Sequence, residues 1–135
     1  MLGAFLGLLA ASTVSGAEPV CSQATLQGTY MVLSTGVLGA GTTGGATYAV
    51  LGKATYDGVG GGKVISTSSV GGAISRDPGT PVTYTVNANC TGTKSAGGTT
   101  FEFVIGADGR ELFYIVTNAG TVISGRAVRL DNSRN

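Results

Sequence analysis

Residues 82–93 read Val-Thr-Tyr-Thr-Val-Asn-Ala-Asn-Cys-Thr-Gly-Thr and alternate apolar with polar side chains. Successive side chains of a β-strand point to opposite faces, so this alternation predicts a half-buried strand. It also carries Cys90, one of only two cysteines; the other is Cys21, near the start of the chain. Paired, the two would pin the beginning of the fold onto a middle strand. A ring of about 70 residues closed in this way stabilises a fold by roughly 4 kcal/mol in the chain-entropy model. The alternative is a pair of unlinked, buried thiols.

The rest of the chain repeats the same theme. Strand-like runs cover residues 28–34, 47–56, 63–70, 99–105, 111–117 and 121–130, and the opening stretch, continued by residues 91–95, adds another. Gly71-Gly72 either bends the third run or begins a short extra strand through Ser75. Turns are expected at Asp57-Gly58, Asp77-Pro78-Gly79-Thr80, Gly97-Gly98, Asp108-Gly109 and Asn118-Ala119-Gly120, where Pro fixes one dihedral and Gly permits a sharp reversal. Seven or eight short strands joined by tight turns close into an up-and-down barrel or fold as a sandwich. Neighbouring connections throughout favour a small antiparallel β-barrel of about eight strands. Closure also hides the sheet edges, which a chain with only 11% charged residues has few means to protect otherwise.

At its N-terminal end, Met1–Ala17 carries an apolar run, 2–11, followed by Ser15-Gly16-Ala17, a small-x-small cleavage pattern. We read residues 1–17 as a signal peptide and 18–135 as a single barrel domain. No Lys or Arg precedes the apolar run, and a buried N-terminal helix is the alternative. The run is too short to span a bilayer, which takes about 20 apolar residues. Export would place the protein in a secreted or periplasmic setting, where a disulfide persists.

Hairpin pairing assigns faces. With Asp108-Gly109 as a two-residue loop, Ile105 faces Leu112 and Phe103 faces Tyr114. Phe101, Phe103, Ile105, Leu112, Tyr114 and Val116 then line the barrel interior. Glu102, Val104, Phe113 and Ile115 line the other side, with Arg126 opposite Phe113. A one-residue slip would reverse the final strand.

With those residues in place, the chain is similar to a group of secreted bacterial proteins assigned to the calycin-like, allene oxide cyclase barrel-like class. The resembling pieces are Cys21 with Leu26-Gln27-Gly28-Thr29-Tyr30, then 52–60 (GKATYDGVG), 84–93 (YTVNANCTGT) and the late Asp108-Gly109 turn. The resemblance implies an eight-stranded barrel with an apolar interior. The wider class includes a plant cyclase, but its catalytic positions find no residue-by-residue match here.

The chemistry available is narrow. Without a single histidine there is no triad, no imidazole zinc site and no switch near neutral pH. Residues 57–62 (DGVGGG) lack the Gly-Lys-Ser/Thr ending of a phosphate loop. A net charge of +1 gives no electrostatic case for nucleic acid. No cofactor or metal is expected. Tyr30, Tyr48, Tyr84, Phe101, Phe103 and Tyr114 are candidates to line a pocket for a small apolar ligand, against the plainer reading that they fill the core. Glu102 and Arg126 are the candidate catalytic pair of a cofactor-free cyclase or isomerase if their side faces inward; as a surface pair they are worth at most about 1 kcal/mol. The apolar positions Val104, Phe113 and Ile115 are a candidate surface for self-association into a structural subunit.

Overall fold

The computed structural model describes residues 19–130. The expected signal peptide, 1–17, and the polar tail, 131–135, lie outside the described residues. A short 3-10 turn, Gln23–Thr25, leads into eight strands: β1 (Gln27–Leu38), β2 (Ala46–Asp57), β3 (Gly61–Val70), β4 (Ala73–Val86), β5 (Thr91–Ala96), β6 (Thr99–Gly106), β7 (Glu111–Val116) and β8 (Thr121–Arg129). Every strand pairs antiparallel with its sequence neighbours, and β8 returns to β1, closing the barrel. An all-β, up-and-down, eight-stranded barrel is thus the observed architecture.

The β6–β7–β8 meander has the register that its turns dictate. Phe103 lies opposite Tyr114, Ile105 opposite Leu112, and Phe113 opposite Arg126. Asp108 and Gly109 both take positive φ, at 57° and 84°, as a two-residue hairpin loop matched to strand twist requires.

Two expectations about the middle of the chain are corrected. Residues 82–93 are not one strand: β4 ends at Val86 and the chain reverses through 87–90 before β5. The turn is closed by the Cys90 N–H on the Asn87 carbonyl (3.0 Å) and by the Asn87 N–H on the Thr91 carbonyl (2.8 Å). Cys90 itself sits at φ 66°. Asparagine side chains stabilise such reversals by bonding nearby backbone, and here Asn89 Oδ1 accepts from the Thr91 N–H (3.2 Å).

The second correction concerns 77–80, expected to form a turn. It lies inside β4 as a bulge, where the pairing with β3 slips between Val64 opposite Thr80 and Ser66 opposite Asp77. The Asp77 carboxylate holds the bulge by accepting from the Gly79 N–H (2.9 Å) and the Thr80 hydroxyl. The real reversal between β3 and β4 is Gly71-Gly72, both at positive φ. The eighth strand therefore comes from splitting the opening stretch, not from a short extra strand before Ser75.

One end of the barrel is plugged. A disulfide joins Cys21 to Cys90, and the Cys21 N–H bonds the Ala88 carbonyl (3.0 Å), so the leading segment crosses the barrel end. Leu26, fully buried, drops into the lumen from this segment. Beneath it Tyr30, Tyr56 and Tyr84 stack edge to face with centroids 5.3 Å apart, a preferred arrangement for aromatic pairs. Their hydroxyls are satisfied by backbone and lysine: Tyr30 donates to the Gly109 carbonyl and Tyr84 to the Leu26 carbonyl (2.9 Å). Phe103, Ile105 and Leu112 complete this packed half.

Candidate functional site

The other half of the barrel is hollow. A cavity of about 510 Å³ opens at the end where β1 finishes and β2 begins. Its walls are mainly short side chains, among them Val32, Val50, Ala54, Val64, Val82 and Ile123. These positions face inward because they alternate with outward residues along each strand. Tyr48, Asp77, Thr80, Asn118 and Thr121 add polar groups to the lining.

At the boundary between the packed and hollow halves sits Lys94, only 8% exposed. It lies on β5 opposite Tyr84 on one side and Phe101 on the other. Its Nζ donates to the Tyr56 hydroxyl at 3.1 Å. The ammonium also lies 4.4 Å from the Tyr114 ring centroid, 4.6 Å from that of Phe101 and 5.8 Å from that of Tyr56. Aromatic faces attract a cation through their quadrupole, yet they do not replace a counter-charge. Among the described residues no carboxylate pairs with Lys94; the one ion pair is Arg126 with Glu111, on the outer face. Burial without compensation lowers the amine from its ordinary 10.5 to about 8.

The neighbouring groups stay in one state near neutral pH. Tyr56 and Tyr114 are pushed up by burial, so their phenols remain protonated. Asp77 is pulled down by the Thr80 hydroxyl and the Gly79 N–H and remains a carboxylate engaged with its own loop. Beside Lys94, Ser34 and Tyr114 share a buried hydroxyl–hydroxyl bond. That pair has room only because residue 125 is glycine: a Cβ there would collide with Ser34 Oγ and the end of the Tyr114 ring.

Of the six aromatic residues expected to line a pocket, Tyr48, Phe101 and Tyr114 do so. Tyr30, Tyr84 and Phe103 belong to the packed half instead, because they sit nearer the plugged end of their strands. Glu102 and Arg126 both face outward and away from the cavity, so the candidate acid–base pair is not at the hollow site. They are also not each other's partners: Arg126 pairs with Glu111 and lies 5.7 Å from the Phe113 ring centroid. Val104, Phe113 and Ile115 lie beside them, each about half exposed.

Composition and turn signals do not single out Lys94. The signal was present, since Lys94 falls in phase with Val82, Tyr84 and Val86 across the stretch read as one strand. A lysine in phase with an apolar face is an inward-pointing charge. No protein-family model matches the chain, and neither the curated proteins nor the solved structures yield a match. The site is therefore argued from its own geometry.

Proposed function

We propose that the protein is an exported, non-enzymatic barrel that binds a small, largely apolar molecule in its hollow half. The observation that carries this reading is the cavity itself. Its 510 Å³ falls within the ~300–1,000 Å³ range of small-molecule sites, and it combines short apolar walls with hydroxyl, amide and charged groups. The calycin-like resemblance supports the same reading, because eight-stranded barrels are just wide enough to hold one small ligand. The Cys21–Cys90 disulfide is compatible with an extracytoplasmic location, and the apolar run in 2–11 supports export.

The test is titration with an apolar fluorescent dye, aided by the absence of tryptophan. The wild-type chain binds one dye per barrel, and Val50→Trp, which fills the cavity, loses that binding. Undiminished binding by Val50→Trp would move the dye elsewhere and remove the proposal. Glu102, the candidate base of the cyclase or isomerase alternative, is exposed on the outer side of β6, and Glu102→Gln is expected to leave dye binding unchanged.

A second reading is favoured by one feature of the outer face. Val104, Phe113 and Ile115 are exposed side by side on β6 and β7, flanked by Glu102 and Arg126, which carry opposite charge. Such a patch is self-complementary under a two-fold axis, so the occupant would be a second copy of the chain. Sedimentation of the wild type and of Phe113→Lys decides it: a dimer that the lysine dissociates supports the reading, and a wild-type monomer at high concentration ends it.

A further inference from the structure

Lys94 poses an energetic problem that the fold does not solve. Placing an ammonium in a low-dielectric interior costs several kcal/mol unless an opposite charge accompanies it. Here the compensation is the Tyr56 phenol oxygen and the ring faces of Phe101 and Tyr114. An ammonium has three N–H donors; the Tyr56 oxygen takes one, and no other acceptor meets Nζ among the described residues. A leucine or methionine would pack the same position without that penalty. What the lysine adds is a nitrogen lone pair, on a buried side chain, among the lining of a cavity walled in part by Val32, Val50, Val64 and Val82.

We propose that Lys94 captures an apolar aldehyde as a covalent imine, so that the cavity is a carbonyl-binding site and not merely a greasy one. The inference rests on the ligand-binding reading above and names the chemical class that this site takes.

A lysine desolvated in an apolar pocket is activated for Schiff-base formation because its neutral form becomes accessible near neutral pH. The neutral Lys94 nitrogen attacks the carbonyl carbon, forming the C–N bond as the C=O π pair moves to oxygen. The proton released by nitrogen passes to that oxygen, with the Tyr56 hydroxyl, 3.1 Å from Nζ, placed as relay. The resulting carbinolamine loses its hydroxyl with a second proton as water, and the nitrogen lone pair closes the C=N bond. One aldehyde and one amine give one imine and one water, with no change in oxidation state. The water leaves by the open end. The neutral imine also removes the uncompensated charge, so the product is better suited to the site than the ammonium it replaces. The aldehyde's tail lies along Val50, Val64 and Val82 toward the mouth. By contrast, Lys53 and Lys63 are solvent-exposed on the outer face, have no such setting, and serve as internal controls.

The experiment uses dodecanal as probe at pH 7.5 with cyanoborohydride, which reduces the imine to a stable amine, followed by intact mass measurement and peptide mapping. Apart from alkylation of the N-terminal amine, which is neutral in part at this pH, we expect the adduct on Lys94, formed at least ten-fold faster than any on Lys53 or Lys63. Lys94→Arg abolishes it, and excess 1-dodecanol, which has the same chain and no carbonyl, slows it by filling the cavity. Labelling spread over Lys53 and Lys63 with Lys94 spared in the wild-type chain overturns the proposal, and this outcome needs no variant to fold. If 1-dodecanol binds and Lys94 stays unlabelled, the cavity reading stands and the imine falls. If neither compound binds, both fall together.

Discussion

The two ends of this barrel are built from the same strands with the same alternation, and they reach opposite results. Near the disulfide, the inward positions are Tyr30, Tyr56, Tyr84, Phe103 and Leu112, and the lumen is full. Toward the other end the inward positions on the same sheet are Val50, Val64, Ser66 and Thr80, and the lumen is empty enough to hold a ligand. Closure fixes the width of the tube. Side-chain volume at each level then decides whether that width is core or cavity. Lys94 stands at the junction, anchored to the packed end through Tyr56 and presented to the hollow one.

The contrast can be broken from the packed side most severely. Replacing Cys21 and Cys90 by serine releases the strap across the plugged end. We expect a loss of about 4 kcal/mol, from the entropy restored to an unfolded ring of that length, read by denaturant unfolding with and without reductant. Next, Leu112→Ala empties a fully buried site and costs about 3 kcal/mol. Val50→Ala, at the hollow level, only enlarges an existing cavity and costs less than about 1 kcal/mol. Equal costs would mean that the two halves are packed alike.

The junction yields a pH prediction. Lys94 titrates near 8 in the folded chain and near 10.5 unfolded, so between those values the unfolded chain holds a proton that the folded chain has released. Stability therefore rises with pH across that window, by about 3 kcal/mol in all if nothing opposes it. Below pH 8 the full penalty is present and the Lys94 contribution is flat. The groups facing it are Tyr56 from β2, Tyr84 from β4, Tyr114 from β7 and, across the cavity, Asp77 from β4. The phenols are pushed up and the carboxylate is pulled down, so none of them titrates between pH 6 and 10. Above about pH 10 ionising tyrosines in the unfolded chain oppose the gain. Denaturant midpoints should climb from pH 8 to 10 in the wild type and stay level in Lys94→Met, which is the more stable of the two at pH 7. The smallest effect belongs to the outer face: Arg126→Ala removes an exposed pair with Glu111 and shifts stability by less than about 1 kcal/mol.

How much of this was legible in the sequence follows from what each signal encodes. The β6–β7–β8 pairings could be read because Asp108-Gly109 fixes a two-residue loop, and register then propagates by counting. The β4–β5 hairpin could not, because Asn87 to Cys90 continues the alternation through its own turn. Asp77-Pro78-Gly79 carries turn chemistry, yet β3 pairs on both sides of it, so tertiary pairing turned a reversal into a bulge. Tyr30, Tyr48 and Tyr84 are expected inside, as pocket lining or as core, but their sequence context does not say at which level. That depends on the stagger of strands around the barrel, which no single strand records. Lys94 was hidden for the same reason as the hairpin: its phase with Val82 and Tyr84 matters only once that face is known to be a closed interior.

One tube is filled at its strapped end and hollow at the other. Crystals of the protein pressurised with xenon test it directly. Xenon density is expected between Val50, Val64 and Val82 and none among Tyr30, Tyr56 and Leu112. A barrel that takes up no xenon at either level, or takes it up beside Leu112, would contradict it.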